Sequence, residues 1–170
     1  MPINKGFTCR FCGEQHQGPP LGYGMEAPAY WSPDLAVDPL NVLEPEICVI
    51  KGQGFFVRGL IEIPINGTGD VFSWNVWVSL SKDNFFKAVD VWEQPGRESQ
   101  PPYFGWLSNE LPGYPLSTLN LKTNLHTRPV GERPLIELEP TDHPLAVEQR
   151  NGIPHDRLQE LATLLLHPPS

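Results

Sequence analysis

The chain has 170 residues, a length that fits one domain, and its 39% hydrophobic and 10% aromatic residues supply enough apolar surface for a core without disulfide bonds. Its formal net charge of −8 argues against nucleic acid or an anionic membrane as a partner, because both require a basic surface. No apolar run approaches the roughly 18 residues of a membrane span. Residues 1–7 lack the apolar stretch of a signal peptide. We therefore expect a soluble, cytoplasmic protein.

The first part of the chain predicts little regular structure. Twenty prolines are spread along the sequence, and proline lacks the backbone N–H that helices and central strands require. Residues 7–20 predict a small cysteine-bearing knuckle followed by a Gly-Pro loop. Residues 21–46 predict irregular backbone with one short helix.

Residues 47–139 predict a strand-rich core. β-Branched and aromatic residues dominate 47–50 and 55–63, and the Gly-containing turn between them indicates a hairpin. Apolar and polar residues alternate from Phe72 to Leu80, which is typical of a strand with one buried face. Trp77 lies on the polar side of that strand, so we expect this side to be covered in part. Further strands are predicted at 103–107, 119–128 and 135–139.

Helices are predicted in three places. Residues 82–93 form a central amphipathic helix, 144–150 a short helix, and 154–167 a C-terminal helix with Pro154 at its first position. Consecutive strands joined by short turns favour a mainly antiparallel sheet with the helices on one face or at one end. The predicted fold class is therefore α+β, in a single domain over residues 1–170.

Long strings of the sequence carry a resemblance to a known family. They are FTCRFCG with His16, APAYW, CVI, FFVRGLIEIP, WNVWVSL, PYFGWLSN, LNLKT and EPTDHPLA. On these segments the chain resembles, over nearly its whole length, the bacterial family catalogued as domain of unknown function 2199. The resemblance implies membership of that family and carries no activity with it.

Cys9 and Cys12, separated by two residues and followed by glycine, form the strongest local signal. Two thiolates at this spacing are typical of a zinc knuckle, and a structural site needs two more ligands. His16 follows shortly after, and Cys48 is the remaining cysteine. We predict a structural Zn²⁺ site of Cys9, Cys12, His16 and Cys48, with His143 as a further candidate ligand.

Two other interpretations of the Cys9–Cys12 pair stay open. The pair can consist of two reduced thiols in a turn, or it can be a redox-active pair. A thioredoxin-like motif starts a helix after a strand, whereas glycines and Pro19-Pro20 follow here. The redox interpretation is therefore the least favoured of the three.

A second group of polar residues lies late in the chain. The polar face of strand 119–128 comprises Asn120, Lys122, Asn124, His126 and Arg128. His126 with Asp142 or Glu137 can form a general base and its orienting carboxylate, and Arg128 or Arg133 can hold an anionic substrate. The alternation equally predicts a solvated strand face with cross-strand ion pairs, and we favour that interpretation. Thr141 or Asp142 before Pro144 is expected to cap a helix.

The aromatic residues suggest a binding surface. Candidates for a pocket or protein-binding patch are Trp31, Trp74, Trp77, Tyr103, Phe104 and Trp106. The sequence lacks a phosphate-binding glycine loop, a dinucleotide fingerprint and a Gly-x-Ser-x-Gly motif. We therefore predict a zinc-stabilised, acidic protein-interaction module without catalysis. The alternative is a small metal-dependent or acid–base enzyme that uses His126, Arg128, Asp142 and His143, and a thiol redox protein comes third.

Overall fold

A computed structural model of the chain describes residues 7–8, 15–16 and 21–166. Strands β1 (Phe7–Thr8) and β2 (Gln15–His16) form a small antiparallel pair. The predicted knuckle, apart from these two strands, lies outside the described residues.

The main sheet has eight strands and is accompanied by three α-helices. The strands are β3 (Gly22–Gly24), β4 (Val42–Leu43), β5 (Ile47–Ile50), β6 (Gly54–Pro64), β7 (Val71–Leu80), β8 (Tyr103–Leu107), β9 (Lys122–His126) and β10 (Leu135–Leu138). The helices are α1 (Lys82–Asp90), α2 (Pro144–Asn151) and α3 (His155–Leu166), with short 3-10 helices at Pro33–Val37 and Arg97–Ser99. The predicted α+β class is confirmed.

Two long strands organise the sheet. One edge of β6 pairs with β5 and then with β10, and its other edge pairs with β7 along ten residue pairs. Since the order continues from β7 through β8 and β9 to β10, strands β6 to β10 close into a five-stranded barrel. Most pairings are antiparallel, but β10–β6 and β3–β7 are parallel. The predicted sheet, mainly antiparallel, is therefore mixed and partly closed.

The barrel interior holds the main core. Alternate residues of β7, from Phe72 to Leu80, point inwards and are buried, as their alternation predicts. Gly59 lies where β6 crosses β10, and a Cβ atom there would come within 2.7 Å of the Ile136 side chain and 2.9 Å of the Pro134 carbonyl oxygen. The crossing therefore requires a residue without a side chain.

Helix α1 begins after Ser81, whose side chain accepts a hydrogen bond from the Asn84 backbone N–H at 3.1 Å. It buries Phe85 and Ala88 against the core, where the Phe85 ring lies 5.2 Å from that of Phe55. The predicted helix 82–93 thus ends three residues early, in a turn. Within the described residues, no helix is both long enough and apolar enough to cross a membrane.

The outer side of β6 and β7 is covered by the segment between β3 and β6. Trp77 is fully buried there with Cys48, Ile50 and Phe56, and its indole N–H donates to the Met25 carbonyl oxygen at 2.9 Å. This arrangement confirms that the Trp77 side of the strand is covered. Residues 21–46, predicted as irregular with one short helix, contain strands β3 and β4 as well as the 3-10 helix Pro33–Val37.

Candidate functional site

Most of the predicted zinc site lies outside the described residues. Cys9 and Cys12 lie outside the described residues, and only the backbone of His16, in β2, is described. Among the described residues, no group of three or more His, Cys, Asp and Glu side chains is arranged to hold a metal ion. A zinc site at the N-terminal residues stays a prediction.

Cys48 is packed as an apolar residue. It is 0% exposed, among Ile50, Phe56 and Trp77, and burial raises the pKa of its thiol to about 11. This environment favours the neutral thiol. The place of Cys48 in the predicted zinc site stays a prediction, because Cys9 and Cys12 lie outside the described residues.

His126 and Arg128 each pair with a carboxylate on the outside of the barrel. His126 Nε2 lies 3.2 Å from Glu137 Oε1, and both side chains are largely exposed. Arg128 Nη1 donates to Glu62 Oε1 at 3.2 Å, and its Nε donates to the Arg133 carbonyl oxygen at 2.7 Å. The two carboxylates line one cavity of about 380 Å³, so these pairs match the solvated strand face with cross-strand ion pairs.

His143 caps helix α2 and does not join that group. Its Nδ1 accepts a hydrogen bond from the Leu145 backbone N–H at 3.0 Å, so Nε2 carries the ring proton, which points to the Ser117 carbonyl oxygen 3.0 Å away. Asp142 is exposed. The four candidate catalytic residues share no hydrogen bond or ion pair within the described part of the chain. The predicted cap exists, but its capping residue is His143.

Arg58 is a charged residue in the middle of strand β6, among mostly apolar neighbours. Its guanidinium lies over the Trp77 ring, 5.6 Å from the ring centre. Burial, followed by the neighbouring charge of Arg133, lowers its pKa below the usual range. The neighbouring Glu62 carboxylate forms its ion pair with Arg128.

Arg97 is a buried arginine that the sequence does not reveal. It lies at the start of a 3-10 helix and is 7% exposed. Its guanidinium donates to the carbonyl oxygens of Trp92, Arg128, Pro129 and Glu132 at 2.8–3.1 Å. It also stacks on the Trp92 ring, 5.5 Å from the ring centre. Arg97 therefore fixes the loop between β9 and β10 against the end of α1.

Two cavities adjoin at Trp92, and we call them together the Trp92 groove. One, of about 360 Å³, is lined by Glu44, Pro45, Glu46, Ile47, Val89 and Trp92. The other, of about 310 Å³, is lined by Glu46, Trp92, Arg97, Gly131, Glu132, Arg133 and Pro134. The groove combines an aromatic and aliphatic floor with carboxylates along its rim.

Of the three carboxylates on the rim of the Trp92 groove, one is in an ion pair and two are not. Glu46 is held by Arg133, with Nη2–Oε1 at 2.9 Å, and Arg133 Nη1 donates to Asn75 Oδ1 at 2.6 Å. The Glu44 and Glu132 side chains are exposed and form no ion pair with another described residue. The end of α1 adds the negative pole of a helix dipole. Three glutamates and two arginines line the groove, so its lining has a net negative charge.

The candidate aromatic surface is mostly core. Trp74, Trp77 and Tyr103 are buried, and Trp31 is half-buried. Only Phe104 and Trp106 of the predicted set are exposed, at 39% and 42%, and their rings are stacked edge to face 5.1 Å apart. A cavity of about 390 Å³ beside Trp106, the Trp106 pocket, is lined by Tyr30, Gln53, Phe56, Ser79, Trp106 and Asn120.

Comparison with known proteins fixes the family. No curated protein and no solved structure gives a significant match. A family model matches residues 8–153, nearly the whole chain, and its description is "Uncharacterized protein conserved in bacteria (DUF2199)". The chain therefore belongs to this bacterial family, as the resemblance implies.

Proposed function

We propose that this protein is a non-catalytic interaction module that binds a lysine- or arginine-rich segment of a partner protein in the Trp92 groove. The observation that carries the proposal is the position of Trp92, a half-buried indole at the junction of two cavities with carboxylates on the rim. An aromatic floor with a polar rim is the usual anatomy of a protein-binding site.

Charge complementarity identifies the class of partner. The whole chain carries a net charge of −8, and the exposed Glu44 and Glu132 carboxylates lie on opposite parts of the groove. Arg97 donates to four backbone carbonyl groups and forms no ion pair with either carboxylate. A cationic side chain above Trp92 gains attraction from both the ring and the carboxylates.

The test is fluorescence polarisation of a labelled oligolysine peptide, with an oligoglutamate peptide of equal length alongside. We expect the oligolysine alone to bind, and its affinity to fall with added salt. Glu44→Gln and Glu132→Gln should each weaken binding about two- to fivefold, as expected for loss of one exposed ion pair. Trp92→Leu should weaken it further.

Asp156→Asn is the matched control, because Asp156 is an exposed carboxylate in the first turn of α3 and the substitution also removes one negative charge. It should leave oligolysine affinity unchanged. If Asp156→Asn weakens binding as much as the groove variants do, peptide affinity depends only on the net charge of the protein, and the proposal fails.

The zinc prediction enters the same proposal as a stabilising element of the N-terminal residues. It rests on the spacing of Cys9 and Cys12 with His16 close by. Elemental analysis of protein purified without chelator should find near-stoichiometric zinc, and alanine at His16, Cys48 and His143 in turn should identify the remaining ligands. Absence of metal together with titratable Cys9 and Cys12 thiols would remove zinc from the proposal while leaving the Trp92 groove untouched.

A further inference from the structure

The Trp106 pocket lies on the outer face of the barrel, and its ligand chemistry differs from that of the Trp92 groove. Its floor is set by the sheet register, because Phe56 pairs with Ser79 and Ser79 pairs with Trp106 on adjacent strands. Tyr30 from the outer layer forms a further wall, with its ring 6.0 Å from that of Phe56. Three aromatic rings thus surround a space of about 390 Å³, a size typical of small-molecule sites.

Polar groups of three kinds face the same space. The Tyr30 hydroxyl donates to Asn120 Oδ1 at 3.0 Å, which leaves the Asn120 amide N–H groups to donate elsewhere. The Gln53 amide and the Ser79 hydroxyl line the pocket, and their side chains form no hydrogen bond with the rest of the described chain. The pocket therefore offers two amides and a hydroxyl beside its rings.

The backbone at Asn120 holds one of these amides in a defined position. Asn120 has a φ of 66°, and it alone among the described non-glycine residues has a positive φ. Its backbone N–H donates to the Leu107 carbonyl oxygen at 2.6 Å, and its side chain is fixed by Tyr30. A left-handed asparagine held from both sides presents its free amide protons in a preorganised direction.

Charge and backbone pairing restrict what can bind. None of the six lining residues is charged at neutral pH, so the pocket has no counter-ion for a phosphate, carboxylate or ammonium group. The backbone groups of Phe56, Ser79 and Trp106 already belong to the sheet ladder, so a peptide strand cannot pair with them. The pocket therefore suits a compact, uncharged ligand that offers apolar C–H groups to the rings and neutral hydrogen-bonding groups to the amides and the hydroxyl.

We infer that the Trp106 pocket binds a neutral carbohydrate. The C–H face of a sugar ring stacks on the exposed Trp106 ring, and its hydroxyls pair with Asn120, Gln53 and Ser79. This site is separate from the Trp92 groove and does not depend on the function proposed for that groove.

The test is saturation-transfer NMR on the full chain with free glucose, galactose, mannose and N-acetylglucosamine and the disaccharides maltose and cellobiose, and with glucuronate as the charged comparison. We expect saturation of the ring C–H protons of at least one neutral sugar, and at least a tenfold weaker response with glucuronate. Trp106→Ala should abolish the signal, whereas Phe86→Ala, which removes an exposed ring on α1, should preserve it.

Asn120→Gly separates binding from folding, because glycine keeps the left-handed backbone while removing the amide. We expect this variant to fold, with amide NMR signals unchanged away from residue 120. Its affinity for the sugar that binds the wild type should fall about fivefold or more, as expected for the loss of one hydrogen bond to a neutral group. No saturation from any of the neutral sugars overturns the inference. A signal that survives Trp106→Ala, or glucuronate bound as well as the neutral sugars, overturns it as well.

Discussion

The two faces of β7 are built in different ways. Its inner face, from Phe72 to Leu80, is buried by the barrel that β7 itself helps to close. Its outer face, which includes Asn75, Trp77 and Ser79, is covered by chain that lies before β6 in sequence, or opens into the Trp106 pocket. The inner face therefore forms the core, and the outer face borders the cavity for which we infer a ligand.

Ile61→Ala should give the largest effect, because it removes a fully buried side chain of β6 from the barrel interior, against which the inner face of β7 packs. We expect a loss of roughly 2–5 kcal/mol in the free energy of unfolding, measured by urea denaturation. A loss below about 1 kcal/mol would show that the barrel interior can collapse around the cavity, and would weaken the contrast between the two faces.

Gly59→Ala should come next, since the added Cβ atom meets the Ile136 side chain at 2.7 Å. We expect a loss of roughly 1–3 kcal/mol from overpacking. The double variant with Ile136→Val should recover part of it, and a urea-denaturation mutant cycle measures that coupling. Strictly additive effects would contradict the close approach of β10 to β6.

Trp77→Phe should affect the outer layer more than the barrel. It removes the hydrogen bond to Met25 at 2.9 Å and part of the packing around Cys48, at a cost of about 1–2 kcal/mol. The sharper readout is the thiol of Cys48. With its pKa raised to about 11, that thiol should stay protonated and react slowly near neutral pH. Trp77→Phe should accelerate its labelling, and an unchanged labelling rate would count against a shared outer layer.

His126→Gln should have the smallest effect. The pair with Glu137 is exposed, so the free energy of unfolding should change by less than about 0.5 kcal/mol. The variant also tests the alternative that the protein is an enzyme. Purified wild type and His126→Gln are screened side by side against the same set of substrates. An activity that the wild type has and the variant lacks would show that the His126–Glu137 pair is functional.

The sequence predicted those parts of the fold that depend on local periodicity. Strands β5 and β8 match the predicted ranges residue for residue, because alternation and turn residues lie within a few positions of each other. Barrel closure was missed, since it depends on a parallel contact between Leu135 and Leu60, which no local pattern encodes. Strand alternation could predict that His126 and Arg128 form ion pairs on an exposed strand face. It could not predict the Trp92 groove, because the walls of the groove come from three segments that are distant in sequence.

Arg97 has a consequence for how the Trp92 groove can vary. One guanidinium bonds four carbonyl oxygens and stacks on the indole, so a single, largely buried side chain sets the wall that carries Glu132. Glu44 and Glu132 can therefore be substituted without rebuilding the wall, whereas a substitution at Arg97 would change the shape of the whole groove.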